Sequence, residues 1–169
     1  MTNILDAVRD RNISLVREIL AKEPESVSAI RGKWGETALH VAARYSTLEI
    51  TEILIDHIFE KFDVVEALAL LDATAMRGGT PLHWTTNAYY NQRGNVDVAK
   101  LLIEKGANPA ARDQNDLTPA DWARATGAAD ITKLLPGKRE NQYCRGCGKH
   151  FPDQCCPDCG EIKRADRNH

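Results

Sequence analysis

Three strings in this chain share one grammar: GETALHVAA at 35–43, GGTPLHWTT at 78–86 and DLTPADWAR at 116–124. Each offers a small or polar residue, then Thr, then Ala or Pro, then an apolar run into a helix. Thr suits a helix N-cap, and Pro suits the position after it, where the first turn has no use for an N–H. An amphipathic run follows each string: TLEITEILI at 47–55, NVDVAKLLI at 95–103 and AADITKLL at 128–135. In the middle run Val96, Val98, Ala99, Leu102 and Ile103 fall at helical spacing, with Asp97, Lys100 and Glu104 opposite. Upstream, NILDAVRDR and SLVREILAKEP read as a further helix pair, broken at Asn12 and ended by Pro24. A small helix-pair unit cannot bury its apolar face alone, so the recurrence predicts an all-α stack of units.

These strings resemble ankyrin repeats, whose signature is T-P-L-H-x-A followed by a second helix and a Gly-Ala-(Asp/Asn)-Pro turn. TPLHW at 80–84 and EKGANPAARDQNDLTPADWA at 104–123 carry the resemblance, which covers roughly residues 2–135. It implies an ankyrin-repeat solenoid over 1–136, of about four helix-pair units including divergent caps, near 2–30, 35–72, 78–110 and 116–135. Units of the family recur about every 33 residues, whereas Thr37 to Thr80 is 43 and Thr80 to Thr118 is 38. The first excess falls after Ile55, where Asp63 is a fitting N-cap for added helix from Val64 to Leu71. The second is TTNAYYNQRGN at 85–95, which lengthens the link between two helices.

The resemblance also assigns roles. His40 and His83 recur in one slot, which implies hydrogen bonds to Thr and backbone; Asp121 fills that slot in the third string. Gly35, Gly78 and Gly106 suit turns that need positive φ, and Asp116 stands where a further Gly is expected. Trp84 and Trp122 follow the signature slot, where they either pack between units or face a partner. Trp84, Tyr89 and Tyr90 are the candidate partner contacts, the tyrosines because they sit in a polar insertion.

All five cysteines lie in YCRGCGKHFPDQCCPDCGE at 143–161. Two turns there read x-Cys-x-x-Cys-Gly, and paired turns of this kind each supply two thiolates to a tetrahedral Zn²⁺. The register picks Cys144, Cys147, Cys156 and Cys159 as ligands, with Cys155 or His150 as alternates. The segment resembles a short zinc ribbon, and four thiolates would make its single zinc structural, with no open coordination position. PGKRENQ at 136–142 reads as a helix stop and linker (137–142), and 162–169 is a polar tail.

Charge narrows the function classes. Of 22 Lys/Arg and 24 Asp/Glu, 7 and 5 lie in 138–169, which leaves 15 and 19 before it. The body is mildly acidic at −4 and the tail is +2, so neither offers the concentrated basic stretch of a nucleic-acid binder. The amino terminus has no apolar leader, the longest apolar run (64–71) contains Glu66, and a reducing, cytoplasmic setting is expected. A monomeric, non-enzymatic protein-interaction module with an unknown protein partner is the leading expectation. The alternative is a nucleic-acid adaptor working through the ribbon. Metal analysis of the purified full chain is expected to give one zinc per chain; no metal, or two, excludes the four-thiolate assignment.

Overall fold

The computed structural model describes residues 3–29, 32–45, 47–86 and 95–135, and its helices follow one another as pairs, with a third helix added in the second unit. Asn3 Oδ1 accepts from Asp6 N–H at 3.0 Å and starts α1 (Ile4–Arg9). Asn12 Oδ1 accepts from Leu15 N–H at 3.0 Å and starts α2 (Ile13–Lys22). Asn12 thus does more than break a helix: it caps the next one. Pro24 opens a 3₁₀ turn, Pro24–Val27. The second unit contains α3 (Ala38–Tyr45), α4 (Leu48–Lys61) and α5 (Val64–Leu71). The third has α6 (Pro81–Trp84) and α7 (Val96–Glu104), and the fourth α8 (Pro119–Thr126) and α9 (Ala129–Leu134). No strand occurs among the described residues.

The helices form two layers. First helices pack in series, α1 on α3, α3 on α6 and α6 on α8; second helices do the same, α2 on α4, α4 on α7 and α7 on α9. Alanines at 38, 42, 43, 120 and 123, all buried, let the first helices approach closely. Ile50, Leu54, Ile55 and Ile58 of α4 fill the space between the layers, with Leu82, Leu102 and Ile131 continuing that core in later units.

Both lengthened spacings have a structural expression. In the second unit α4 runs six residues past Ile55, and α5 is added behind it against α4. Asp63 Oδ1 accepts from Glu66 N–H at 2.8 Å while Glu66 Oε2 accepts from Asp63 N–H at 3.4 Å, a reciprocal cap that fixes where α5 begins. In the third unit α6 stops after four residues, where Thr85 and Thr86 hydroxyls donate to the Leu82 and His83 carbonyls, both at 2.7 Å. Asn95 N–H then donates to Thr85 O at 2.8 Å, so the insertion leaves and returns at one point.

The turns before α3, α6 and α8 repeat one pattern. Gly32 N–H reaches Glu36 O (3.5 Å), Ala75 N–H reaches Gly79 O (2.9 Å) and Asp113 N–H reaches Leu117 O (3.0 Å). The fourth position of each turn has positive φ: Gly35 at 73°, Gly78 at 76° and Asp116 at 61°. Successive turns are joined by Met76 N–H to Trp34 O (2.7 Å) and Gln114 N–H to Arg77 O (2.8 Å).

Gly106 closes α7 at φ +101°, and a Cβ there would lie 2.8 Å from Leu68 Cδ2 of α5; Gly127 after α8 is at φ +75° with open space around it. Gly106→Ala is therefore expected to destabilise by roughly 2 kcal/mol and Gly127→Ala by roughly 1 kcal/mol, from left-handed strain with and without the added contact. Urea unfolding followed by circular dichroism checks the order; equal costs would show that α5 yields freely to the new methyl group.

Candidate functional site

The signature Thr and His form a relay between units. Thr80 is the N-cap of α6, and His83 stands on the first turn behind it. His83 Nδ1 accepts from Thr80 N–H at 3.2 Å and lies 3.0 Å from Thr80 Oγ1. Its Nε2 lies 3.1 Å from Leu117 O, in the turn of the next unit. A carbonyl only accepts, so the proton is assigned to Nε2, and Nδ1 is left to accept from both Thr80 groups. His40 repeats this geometry: Nδ1 is 3.3 Å from Thr37 N and 2.9 Å from Thr37 Oγ1, and Nε2 is 3.1 Å from Gly79 O.

Each imidazole also meets the tryptophan of the following unit edge-on. His40 and Trp84 are 5.3 Å apart at 76°, and His83 and Trp122 are 5.3 Å apart at 74°. Trp122 Nε1–H donates to Asp113 Oδ2 at 2.9 Å, while Asp113 Oδ1 accepts from Asn115 N–H (2.8 Å) and Leu117 N–H (2.9 Å). Burial alone would raise the Asp113 carboxyl, yet these three donors outweigh it and hold the group below the usual carboxylate range. Asp121 takes over the histidine's local role, its Oδ2 accepting from Thr118 N–H (2.9 Å) and Oγ1 (2.8 Å). Having no N–H, its carboxylate cannot pass a bond to a following carbonyl.

Outside this relay, the turn and first-helix side of units one to three carries a cluster of cations and rings. The Arg44 guanidinium lies 4.9 Å from the Tyr45 ring centroid, 5.5 Å from Trp84 and 5.7 Å from Trp34. Lys33 Nζ stands 4.6 Å over Trp34, and Arg9 lies 5.9 Å from Tyr45. Arg11 Nε donates to Tyr45 O at 2.9 Å. Lys33, Arg9 and Arg11 are exposed; Trp34, Arg44 and Tyr45 are half-buried.

Among the residues expected to contact a partner, Trp84 is 7% exposed and packs between units against His40 and Arg44. The packing alternative describes it, because a ring wedged against an imidazole offers little surface to a partner. Tyr89, Tyr90, Cys144, Cys147, His150, Cys155, Cys156 and Cys159 lie outside the described residues. Arg44, Trp34 and Lys33 were not singled out by sequence, since none occupies a signature slot. Their one signal is that Trp34 directly precedes the Gly-Glu-Thr string.

Burial pushes the His40 imidazole down to about 4 against the opposing pull of its Gly79 carbonyl bond, and pushes His83 down as well. A histidine with a depressed folded pKa stabilises the fold fully above its unfolded value, roughly 6.5, and loses that contribution as pH falls towards 4. His40 alone is expected to remove about 3 kcal/mol over that window. Urea unfolding of the wild type and His40→Asn between pH 7.5 and pH 4 checks this. The wild-type advantage should shrink with falling pH, and a constant gap would exclude the buried neutral imidazole.

Comparison with known proteins agrees with this geometry. The family description "Ankyrin repeats (3 copies)" matches residues 4–91, and "Ankyrin repeat" matches 77–114. Ankyrin repeat-containing protein YGL242C of Saccharomyces cerevisiae is 28% identical over 144 residues, covering 79% of this chain and 75% of that protein. NF-kappa-B inhibitor zeta of Mus musculus is 30% identical over 135 residues; these are 78% of this chain but 17% of that protein. A chain in the crystal structure of the yeast ribosomal protein Rps3 in complex with its chaperone Yar1 superposes with a TM-score of 0.71 at 23% identity, covering 78% of this chain and 87% of that one. The matched span contains the Thr–His turns, the paired helices and the relay that joins them: this chain belongs to the ankyrin-repeat family.

Proposed function

We propose that this chain is a non-enzymatic scaffold that holds a protein partner on the turn and first-helix side of its stacked units. The observation that carries this reading is the rim of exposed Lys33, Met76 and Arg77 around half-buried Trp34, on two turns joined by the Met76–Trp34 backbone bond. Met76 is 50% exposed there beside Arg77, and interfaces are enriched in Met, Arg and aromatic residues over the rest of a surface. The two signature histidines carry no catalytic role in this reading, because both ring nitrogens of each are engaged in buried architecture. Mouse NF-kappa-B inhibitor zeta is named for inhibiting NF-kappa-B, and the structural neighbour comes from a complex of a chaperone with a ribosomal protein. Both names describe proteins that engage other proteins.

The tail is assigned a structural zinc held by Cys144, Cys147, Cys156 and Cys159. Support comes from the donor set: four soft thiolates in two matched Cys-x-x-Cys-Gly turns suit tetrahedral Zn²⁺ and leave it no exchangeable position. Among the described residues no helix is long and apolar enough to cross a membrane. Affinity capture from the native host, comparing the full chain with a form ending at Pro136, tests the scaffold reading. A specific partner retained by both forms is expected, which places binding on the repeats. Loss on truncation would move it to the tail, and the absence of any partner would sink the reading.

A further inference from the structure

Building on that scaffold reading, we propose that the partner segment is acidic and docks on the cationic and aromatic face built by Arg9, Arg11, Lys33, Arg44 and Arg77 around Trp34. The residues are far apart in sequence, and the fold joins them contact by contact. Arg11 is bonded to the Tyr45 carbonyl, and Arg9 and Arg44 both lie against the Tyr45 ring. Arg44 reaches Trp34, which carries Lys33 on its other contact. The Trp34 carbonyl accepts from Met76, whose neighbour Arg77 is exposed on the same row of turns.

Charge decides the chemistry of the occupant. The carboxylates on these same elements are Asp6, Asp10 and Glu36. Asp6 already pairs with Arg9 at 3.0 Å, and Glu36 is buried, with its Oε2 accepting from Trp34 N–H at 2.9 Å. Five cations against three carboxylates make this face net positive on a body that is net −4. Such segregation attracts an acidic segment and repels a basic one. Arg44 adds charge from within the face, its half-buried guanidinium held among three rings. Trp34 and half-exposed Met76 supply adjacent apolar area, so carboxylates interleaved with apolar residues fit best. A phosphate backbone fits less well, because Asp6 and Asp10 sit among so few cations.

The test uses the full chain and a fluorescein-labelled synthetic peptide of Asp and Glu interleaved with Leu. Controls are its Asn/Gln counterpart, its Lys counterpart and single-stranded RNA. Anisotropy is expected to show binding of the acidic peptide only, weakening as NaCl is raised. Lys33→Glu and Arg77→Glu, both exposed and outside the core, should each weaken it by about tenfold or more with thermal unfolding unchanged. No binding of the acidic peptide, equal binding of the Lys peptide or RNA, or indifference to both substitutions would overturn the proposal. Host capture separates the two readings. A partner retained equally by wild type and both variants leaves the scaffold reading standing and sinks this one. A wild-type chain that retains no protein sinks the scaffold reading itself.

Discussion

At two junctions, between the second and third units and between the third and fourth, one imidazole proton sets the register of this protein's stack. Because Nε2 of His40 and His83 faces a carbonyl of the next unit, the proton must sit there, and Nδ1 must accept from the threonine of its own turn. Each histidine therefore defines its own turn and the position of the following turn at once. The edge-on tryptophan of the next unit then completes the contact. Such a device works only while the ring is neutral, and burial keeps it so. Apolar stacking provides most of the stabilisation, but it is non-directional; the relay is what fixes the stacking geometry.

The relay also explains which departures the fold accepts. Between His40 and Gly79 the chain contains a lengthened α4 and the whole of α5, yet the histidine finds its carbonyl at 3.1 Å, as in the unit with the shorter spacing. The insertion is accommodated behind the second-helix layer, with Asp63 and Glu66 capping it locally, so the relay does not feel it. In the third unit Asn95 N–H returns to the Thr85 carbonyl, which brings the two ends of the lengthened stretch together. Asp121 shows the other limit. A carboxylate copies the accepting half of the imidazole and lacks the donating half, so the local turn forms without a bond onward.

Much of this was legible residue by residue. Thr–Pro marks the helix starts of α6 and α8, the 3.6-residue periodicity marks α7, and Asp63 marks α5, because capping and amphipathicity are local properties. Asp116 could be read as a left-handed position from its place in the repeat, and it sits at φ 61°. Trp84 could not be assigned from sequence, since a tryptophan in that slot serves a core or a surface equally well; the edge-on His40 ring decides for the core.

The sequence by itself determined the all-helical repeat architecture of the described residues and the two places where its spacing is lengthened. It did so because each unit writes its own caps, turns and apolar face within a short stretch of chain. The cationic and aromatic face was invisible there. Counted along the chain the body is acidic, and the Arg9–Arg11 pair, Lys33, Arg44 and Arg77 are separated from one another by stretches of ten residues or more. Only stacking, which sets each turn beside the next through bonds such as Met76 to Trp34, brings those charges onto one side. Charge segregation depends on distances across units, and such distances exist only in the folded stack.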